Sequence, residues 1–354
     1  MIKFLSSFFL VLIVGCGSSS EGVAELNPYN LNTFNPYDDE YFKYQWSLGV
    51  PTDSEYISSN NISTSSHINI YGAWNKTRGS GVKVAVIDTN FNPNHIDLAS
   101  RVIKTYNVNS NSNNVYIDST INHGTIVASI LAASKNEVGM VGVAPEADLI
   151  LIGATITDDA SKIAAFNYAK DQGAKVICCS WGTYNVSQSV SDVIKEMFDN
   201  NITVIFASGN KNESLDNYND ESMLAHVIGV GATNAQNSRA IYSNYGTGLD
   251  ILAPGGNAIT GLVAAKVDSY KPATQLDSRY FFAYGTSEAA PVIAGVVSLL
   301  LSKKPSLTPK NIQNILTSTA SKIGGNIYDA NGFNNQYGYG KVDASKALEK
   351  ALQY

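Results

Sequence analysis

Apolar residues along this chain gather in short unbroken runs, not in strict alternation with polar ones. Residues 82–88, 143–153, 176–180, 203–208, 226–232 and 250–253 each carry aliphatic or β-branched side chains on consecutive positions. Runs of this kind predict strands buried on both faces, as in a parallel sheet. Between and after them lie segments of helical potential, among them 123–131 and 292–301. Strand and helix in alternation predict an α/β fold of three layers: a central, mostly parallel sheet with helices on both faces. No internal repeat of fixed period is present.

Polar residues break the apolar pattern at three chemically telling places. Asp88 stands at the C-terminal end of the 82–88 run, the edge of a parallel sheet where functional groups collect. His123 opens a small-residue and apolar segment that reads as a buried helix. Ser287 follows Gly285 and Thr286 and precedes another helical run. A glycine there permits a sharp turn, and a helix N-terminus supplies unpaired N–H groups and partial positive charge. Taken singly, these are a helix cap, a core histidine and a turn serine. Taken together, they are the parts of an acyl-transfer triad: a hydroxyl that attacks, an imidazole that takes its proton, and a carboxylate that orients the imidazole.

Composition narrows the field. The chain has 354 residues, enough for a large core, with a formal charge of -6 and only 15% charged residues. That balance offers no basic face for nucleic acid.

The motifs resemble those of the subtilisin-like serine proteases. Around Asp88 the chain reads Asp88-Thr89-Asn90 and then His95-Ile96-Asp97-Leu98; around the histidine, His123-Gly124-Thr125-Ile126-Val127-Ala128; around the serine, the run from Gly285 to Gly295. Shorter runs extend the likeness: Gly139 to Pro145, Val176 to Gly182, Ala207-Ser208-Gly209-Asn210, and Tyr337 to Ala344. It covers roughly Tyr37 to Ala347. The resemblance implies a subtilisin-like fold and a serine endopeptidase acting on protein or peptide substrates, with no cofactor needed for the chemistry. It casts Asp88, His123 and Ser287 as the triad and Asn210 as the oxyanion donor. The competing reading is a catalytically silent scaffold that binds peptide in the same cleft; completeness of the four-residue set favours the enzyme. Asn90 stands where the family has glycine, and asparagine is the residue that best tolerates left-handed backbone. Glu288, beside the nucleophile, replaces an uncharged residue and is expected to raise the histidine pKa.

The resemblance also implies a substrate strand at Ser180, Trp181 and Gly182, to which an extended peptide adds. Trp181 is bulkier than the family's aliphatic residue and is expected to narrow one pocket. Asp220 and Glu221 replace a Tyr-Pro-like pair at the pocket floor: pointing inward they favour a basic residue before the scissile bond, pointing outward they are a solvated loop. Asp97 and Asn136 match the oxygen ligands of a structural calcium site, with a metal-free loop as the alternative.

The N-terminus suggests export. Residues 1–15 form a short basic start and an apolar core too short to span a bilayer comfortably, ending Ile13-Val14-Gly15-Cys16. This resembles the lipoprotein box, with Cys16 lipidated and the enzyme held at the bacterial cell envelope outside the cytoplasm. Residues 16–35 read as a tether and 36–354 as the catalytic domain, with no globular propeptide, so a separate chaperone or inhibitor chain is one route to folding. Cys178 and Cys179, adjacent in a buried strand, are expected to be inert thiols.

Overall fold

The computed structural model describes residues 34–354 apart from 121, 268–275 and 326. Residues 1–33, and with them the expected signal sequence, Cys16 and most of the expected tether, lie outside the described residues. Phe34 is already part of the folded body, packed edge-on against Trp74 with the Arg78 guanidinium over its ring.

Nine strands are formed among the described residues: β1 (Lys83–Asp88), β2 (Val102–Asn107), β3 (Asp148–Gly153), β4 (Val176–Cys179), β5 (Thr203–Ala207), β6 (Val227–Thr233), β7 (Ile251–Pro254), β8 (Leu262–Ala265) and β9 (Tyr280–Ala283). The first seven make one sheet in the order β2-β3-β1-β4-β5-β6-β7, every neighbouring pair parallel. β8 and β9 form a separate antiparallel hairpin. Eight α-helices accompany them among the described residues: α1 (Ser54–Ser59), α2 (Tyr71–Trp74), α3 (His123–Ala132), α4 (Asp159–Asp171), α5 (Gln188–Asp199), α6 (Thr286–Lys303), α7 (Pro309–Thr319) and α8 (Ala344–Ala351).

The unbroken apolar runs are explained by burial on both faces. Val84 and Val86 of β1, Leu149 and Leu151 of β3, and Ile205 of β5 face one core, shared with α3 and α6. Their neighbours Ala85, Ile87, Ile150, Ile152 and Phe206 face a second core, shared with α4 and α5. This is the three-layer α/β architecture expected from the pattern. α6 is buried along most of its length, and each fully buried aliphatic side chain contributes about 1.5–3 kcal/mol relative to exposure.

Two differences from the sequence pattern have physical causes. The expected strand at 143–153 begins only at Asp148. Gly142, Val143 and Ala144 instead donate their N–H groups to the carbonyls of Ala133, Ile130 and Leu131, satisfying the open end of α3. β2 and the β8–β9 hairpin were not legible as strands. β2 is an edge strand whose positions are mostly exposed or half-buried, and the hairpin is held by partners remote in sequence. Ser129 of α3 accepts the Ala265 N–H at 3.1 Å, and Asn122 accepts that of Val267 at 2.6 Å.

The chain leaves β1 to build β2 and β3 on one side, then crosses to build β4 on the other. β1 therefore sits where strand order reverses, and its C-terminal end opens into the crevice characteristic of such sheets. Asp88 is the last residue of that strand.

Candidate active site

Asp88 is buried, and its two oxygens have separate duties. Oδ1 accepts the Thr89 N–H at 2.7 Å, which fixes the carboxylate plane, while Oδ2 lies 2.7 Å from His123 Nδ1. His123 is the first residue of α3 and its side chain is partly exposed. Gly124 is required behind it, because a Cβ there would lie 2.5 Å from the Asn90 carbonyl and 2.6 Å from the Phe91 ring. That close approach seats α3 directly against the β1 loop. Asn90 itself does not adopt the left-handed backbone expected for it. It is fully buried, donates to the Asp118 carbonyl at 2.8 Å and accepts the N–H groups of Ile117 and Asp118 at 2.7 and 3.0 Å. Its amide replaces a free glycine by a tie to the 117–118 loop.

Burial opposes protonation of His123, but the charge and hydrogen bond of Asp88, then the charge of Glu288, outweigh it and raise the imidazole to about 9. Glu288 is itself buried, which lifts its carboxyl to about 7 against the pull of the His123 charge. Its Oε2 lies 2.7 Å from where a Cβ on Gly285 would stand, and the Asn210 amide nitrogen lies 3.3 Å from the same point. Gly285, at φ 152°, is the turn that lets carboxyl and amide approach so closely.

Ser287 is the second residue of α6, at the positive end of an 18-residue helix. Pro291 inside that helix has no N–H to give the carbonyl four residues earlier, which is that of Ser287. The vacant acceptor is taken by the Ser180 hydroxyl at 2.8 Å, and the Ser287 hydroxyl donates in return to the Ser180 carbonyl at 2.9 Å. The nucleophile candidate and the segment after β4 are thus cross-linked in both directions. Passing the Ser287 proton to His123 requires the hydroxyl to leave that carbonyl.

Asn210 follows β5. Its amide oxygen accepts both the Thr286 N–H and the Thr286 hydroxyl at 2.9 Å, and Thr286 Oγ1 in turn accepts the Gly209 N–H at 3.0 Å. With the oxygen engaged, the NH₂ group is the part of the amide left to donate, and Asn210 lines the same cavity as Ser287. Thr286, which holds the Asn210 oxygen, was not singled out from the sequence, although it lies inside the serine motif.

A cavity of about 270 Å³ opens at Ser287 and Asn210 and runs between the chain after β4 and the chain after β5. Ser180, Trp181, Gly182, Tyr184 and Asp220 line it. Trp181, expected to narrow a pocket, lines the cavity but is buried in the second core. Its indole N–H donates to the Ile87 carbonyl at 2.8 Å, next to Asp88, and its ring meets Phe206 edge-on at 5.0 Å.

The structure separates the acidic pair expected at the pocket floor. Asp220 reaches the cavity wall, whereas Glu221 is absent from the lining and wholly buried. The expectation that Glu221 meets a substrate side chain is corrected: its carboxylate is consumed by Thr183, which donates from N and Oγ1 at 2.8 and 2.7 Å, and by the buried Lys162 at 3.7 Å.

Asp97 and Asn136 do come together, but through a hydrogen bond. Asn136 Nδ2 donates to Asp97 Oδ1 at 3.0 Å, and Met140 N–H to Oδ2 at 3.3 Å. Burial pushes Asp97 up to about 7, and the nearby Asp39 is pushed up to about 6 by the same cause. As folded, the carboxylate is answered by N–H donors and the Asn136 oxygen by Val138 N–H at 3.0 Å. Among the described residues no group of three or more His, Cys, Asp or Glu side chains is placed to hold a metal ion. Cys178 and Cys179 are free and buried on β4, and burial pushes both thiols up.

Comparison with known proteins agrees with this geometry. The Subtilase family matches residues 79–340, and the chain belongs to that family. It is 35% identical to Subtilisin Savinase of Lederbergia lenta over 273 residues, covering 76% of this chain and 91% of that protein. Among solved structures, a protease of Pseudoalteromonas arctica superimposes with a TM-score of 0.73 at 26% identity, over 89% of this chain and 99% of that one. The serine protease of Aeromonas sobria, solved in complex with a chaperone, shares the fold with a TM-score of 0.79 at 22% identity, over 90% of this chain and 67% of that one. The protein is accordingly a serine-type endopeptidase of the subtilase family.

Proposed function

We propose that Ser287 is the nucleophile, His123 its general base, Asp88 the anchor of the imidazole, and Asn210 the side-chain donor to the oxyanion. The observation that carries this reading is the 2.7 Å contact between Asp88 and His123 Nδ1. It leaves Nε2 as the proton acceptor on the cleft side. The peptide carbonyl enters between Ser287 and Asn210. Ser287 Oγ bonds to the carbonyl carbon, its proton passes to His123, and the carbonyl electron pair moves onto oxygen. That oxyanion is held by the Asn210 NH₂ and the Ser287 N–H at the start of α6. Return of the proton to the leaving amine breaks the peptide bond, and water repeats the sequence on the acyl-enzyme. A fluorophosphonate probe should label the intact protein and fail on Ser287→Ala. Absence of labelling in the parent protein would favour a silent peptide-binding scaffold.

The N-terminal reading is that residues 1–15 are removed, Cys16 is lipidated, residues 16–35 tether the enzyme, and residues 36–354 act outside the cytoplasm at the cell envelope. Its support is the Ile13-Val14-Gly15-Cys16 run after an apolar core. Among the described residues no helix is long and apolar enough to cross a membrane. Mass spectrometry of the native protein should find an acyl-bearing Cys16 at the mature N-terminus; an unmodified chain beginning elsewhere removes the anchor. A separate folding chaperone is a further part of the reading, supported by the Aeromonas sobria complex. Full recovery of activity after the denatured protein is refolded alone would dispense with it.

A further inference from the structure

We propose that Asp220 and Glu221 are positioning residues. They clamp the main chain that continues the substrate strand, so that binding of every substrate depends on them, whatever side chain enters the cavity. The inference rests on the serine endopeptidase reading and concerns what holds the strand Ser180–Gly182 in its binding conformation.

Consecutive carboxylates grip consecutive residues. Glu221 takes the Thr183 N–H and hydroxyl, and Asp220 Oδ2 takes the Tyr184 N–H at 2.9 Å. Asp220 Oδ1 is held from behind by the Ser222 N–H and hydroxyl at 3.0 and 2.6 Å. Past the clamp, Val186 N–H donates to the Asn219 carbonyl at 2.6 Å, so the whole 183–186 segment is tied to 219–221. The clamp is anchored to the body of the protein by Lys162 of α4, only 2% exposed, which lies 2.8 Å from Asp159 and 3.7 Å from Glu221.

The segment needs such a clamp. Tyr184 has φ 59°, a left-handed conformation that a bulky residue holds only when its surroundings over-determine it. Its ring is part of the cavity wall, and its hydroxyl accepts from the buried Asn244 Nδ2 at 3.1 Å. Thr183 and Tyr184 directly follow Gly182, whose α-carbon lies under the Asp220 carboxylate: a Cβ there would meet Oδ2 at 2.8 Å. Strand, wall and clamp are therefore one unit. A charge-recognition role for the pair is poorly served by the same geometry, because Glu221 is sealed off and both Asp220 oxygens are already engaged by N–H or O–H donors.

The test is steady-state kinetics of Glu221→Gln, Asp220→Asn and the double variant Lys162→Met/Glu221→Gln. Substrates are four peptides differing only in Leu, Phe, Lys or Glu before the scissile bond. Loss of uniform binding predicts a KM increase of roughly tenfold, similar for all four peptides, with kcat little changed. An effect confined to the Lys peptide would overturn the proposal in favour of charge recognition. A lowered Tm with unchanged KM would reduce the pair to framework. Should the variants fail to fold, hydrogen exchange in the parent protein decides: the Thr183 and Tyr184 amides must exchange slowly, and exchange at open-loop rates would sink the clamp. Labelling of Ser287 by the fluorophosphonate probe, run alongside, separates failure of the clamp from failure of the catalytic assignment.

Discussion

Two pairs of carboxylates flank the same cleft, and they are satisfied in opposite ways. Asp220 and Glu221 are answered by N–H and O–H donors of Thr183, Tyr184 and Ser222, and by one buried lysine. Asp88 and Glu288 sit beside an imidazole that can gain or lose a proton. No lysine or arginine among the described residues is in ion-pair contact with Glu288. A carboxylate facing main-chain and hydroxyl donors fixes geometry. A carboxylate facing a histidine sets the pH at which that histidine works. Burial alone does not tell the two apart; the partner does.

The comparison breaks first where the reacting atoms are. Ser287→Ala and His123→Ala should each lower kcat on the order of 10⁶-fold, a magnitude taken from subtilisin itself. Peptide hydrolysis assays with Tm measured in parallel check this, and substantial activity in either variant removes the triad. Asn210→Ala comes next, with an expected loss of about 10²–10³ in kcat and little change in KM, again by the subtilisin precedent. An altered KM at normal kcat would place Asn210 in ground-state binding.

Glu288→Gln sharpens the contrast. His123 must be neutral to accept a proton, so kcat/KM should rise with pH along a limb near the raised imidazole value of about 9. Removing the Glu288 charge should move that limb to lower pH. Stability should respond in the other direction along the pH scale. A carboxyl raised from 4.5 to about 7 holds its proton more tightly folded than unfolded. Its contribution is therefore present at low pH and lost as pH rises from about 4.5 to about 7. Glu288→Gln should then raise Tm at pH 8 and leave it nearly unchanged at pH 4. An unshifted rate limb would remove Glu288 from the electrostatics of His123.

The smallest effect is expected at Asp97. The metal-free reading of this loop, with the carboxylate met by the Asn136 amide and the Met140 N–H, predicts a Tm unchanged in excess EDTA. A clear drop would show a cation displacing those donors and acting on stability by mass action.

Much of this was legible in the chain. The double-faced burial of β1, β3, β4, β5 and β6 showed in their unbroken apolar runs, because a strand covered on both sides has no polar positions to alternate with. β2 escaped because an edge strand keeps exposed residues, and the β8–β9 hairpin because its partners, Asn122 and Ser129, lie far away in sequence. The triad candidates were visible because each is marked locally, at a strand end, a helix start and a Gly-Thr turn.

By itself, then, the sequence determined the family, the layered parallel fold and which residues are the candidates for the chemistry. Each of these is written in local patterns of burial and turn formation. Only the tertiary structure decided orientation: that the Asn210 oxygen is turned away by Thr286, that Asn90 is a tie and not a left-handed turn, and that Glu221 faces Lys162 and Thr183 instead of a substrate. A side chain's direction depends on partners brought from distant segments. Lys162 stands 59 positions before Glu221 in the chain, and no local pattern records that they meet.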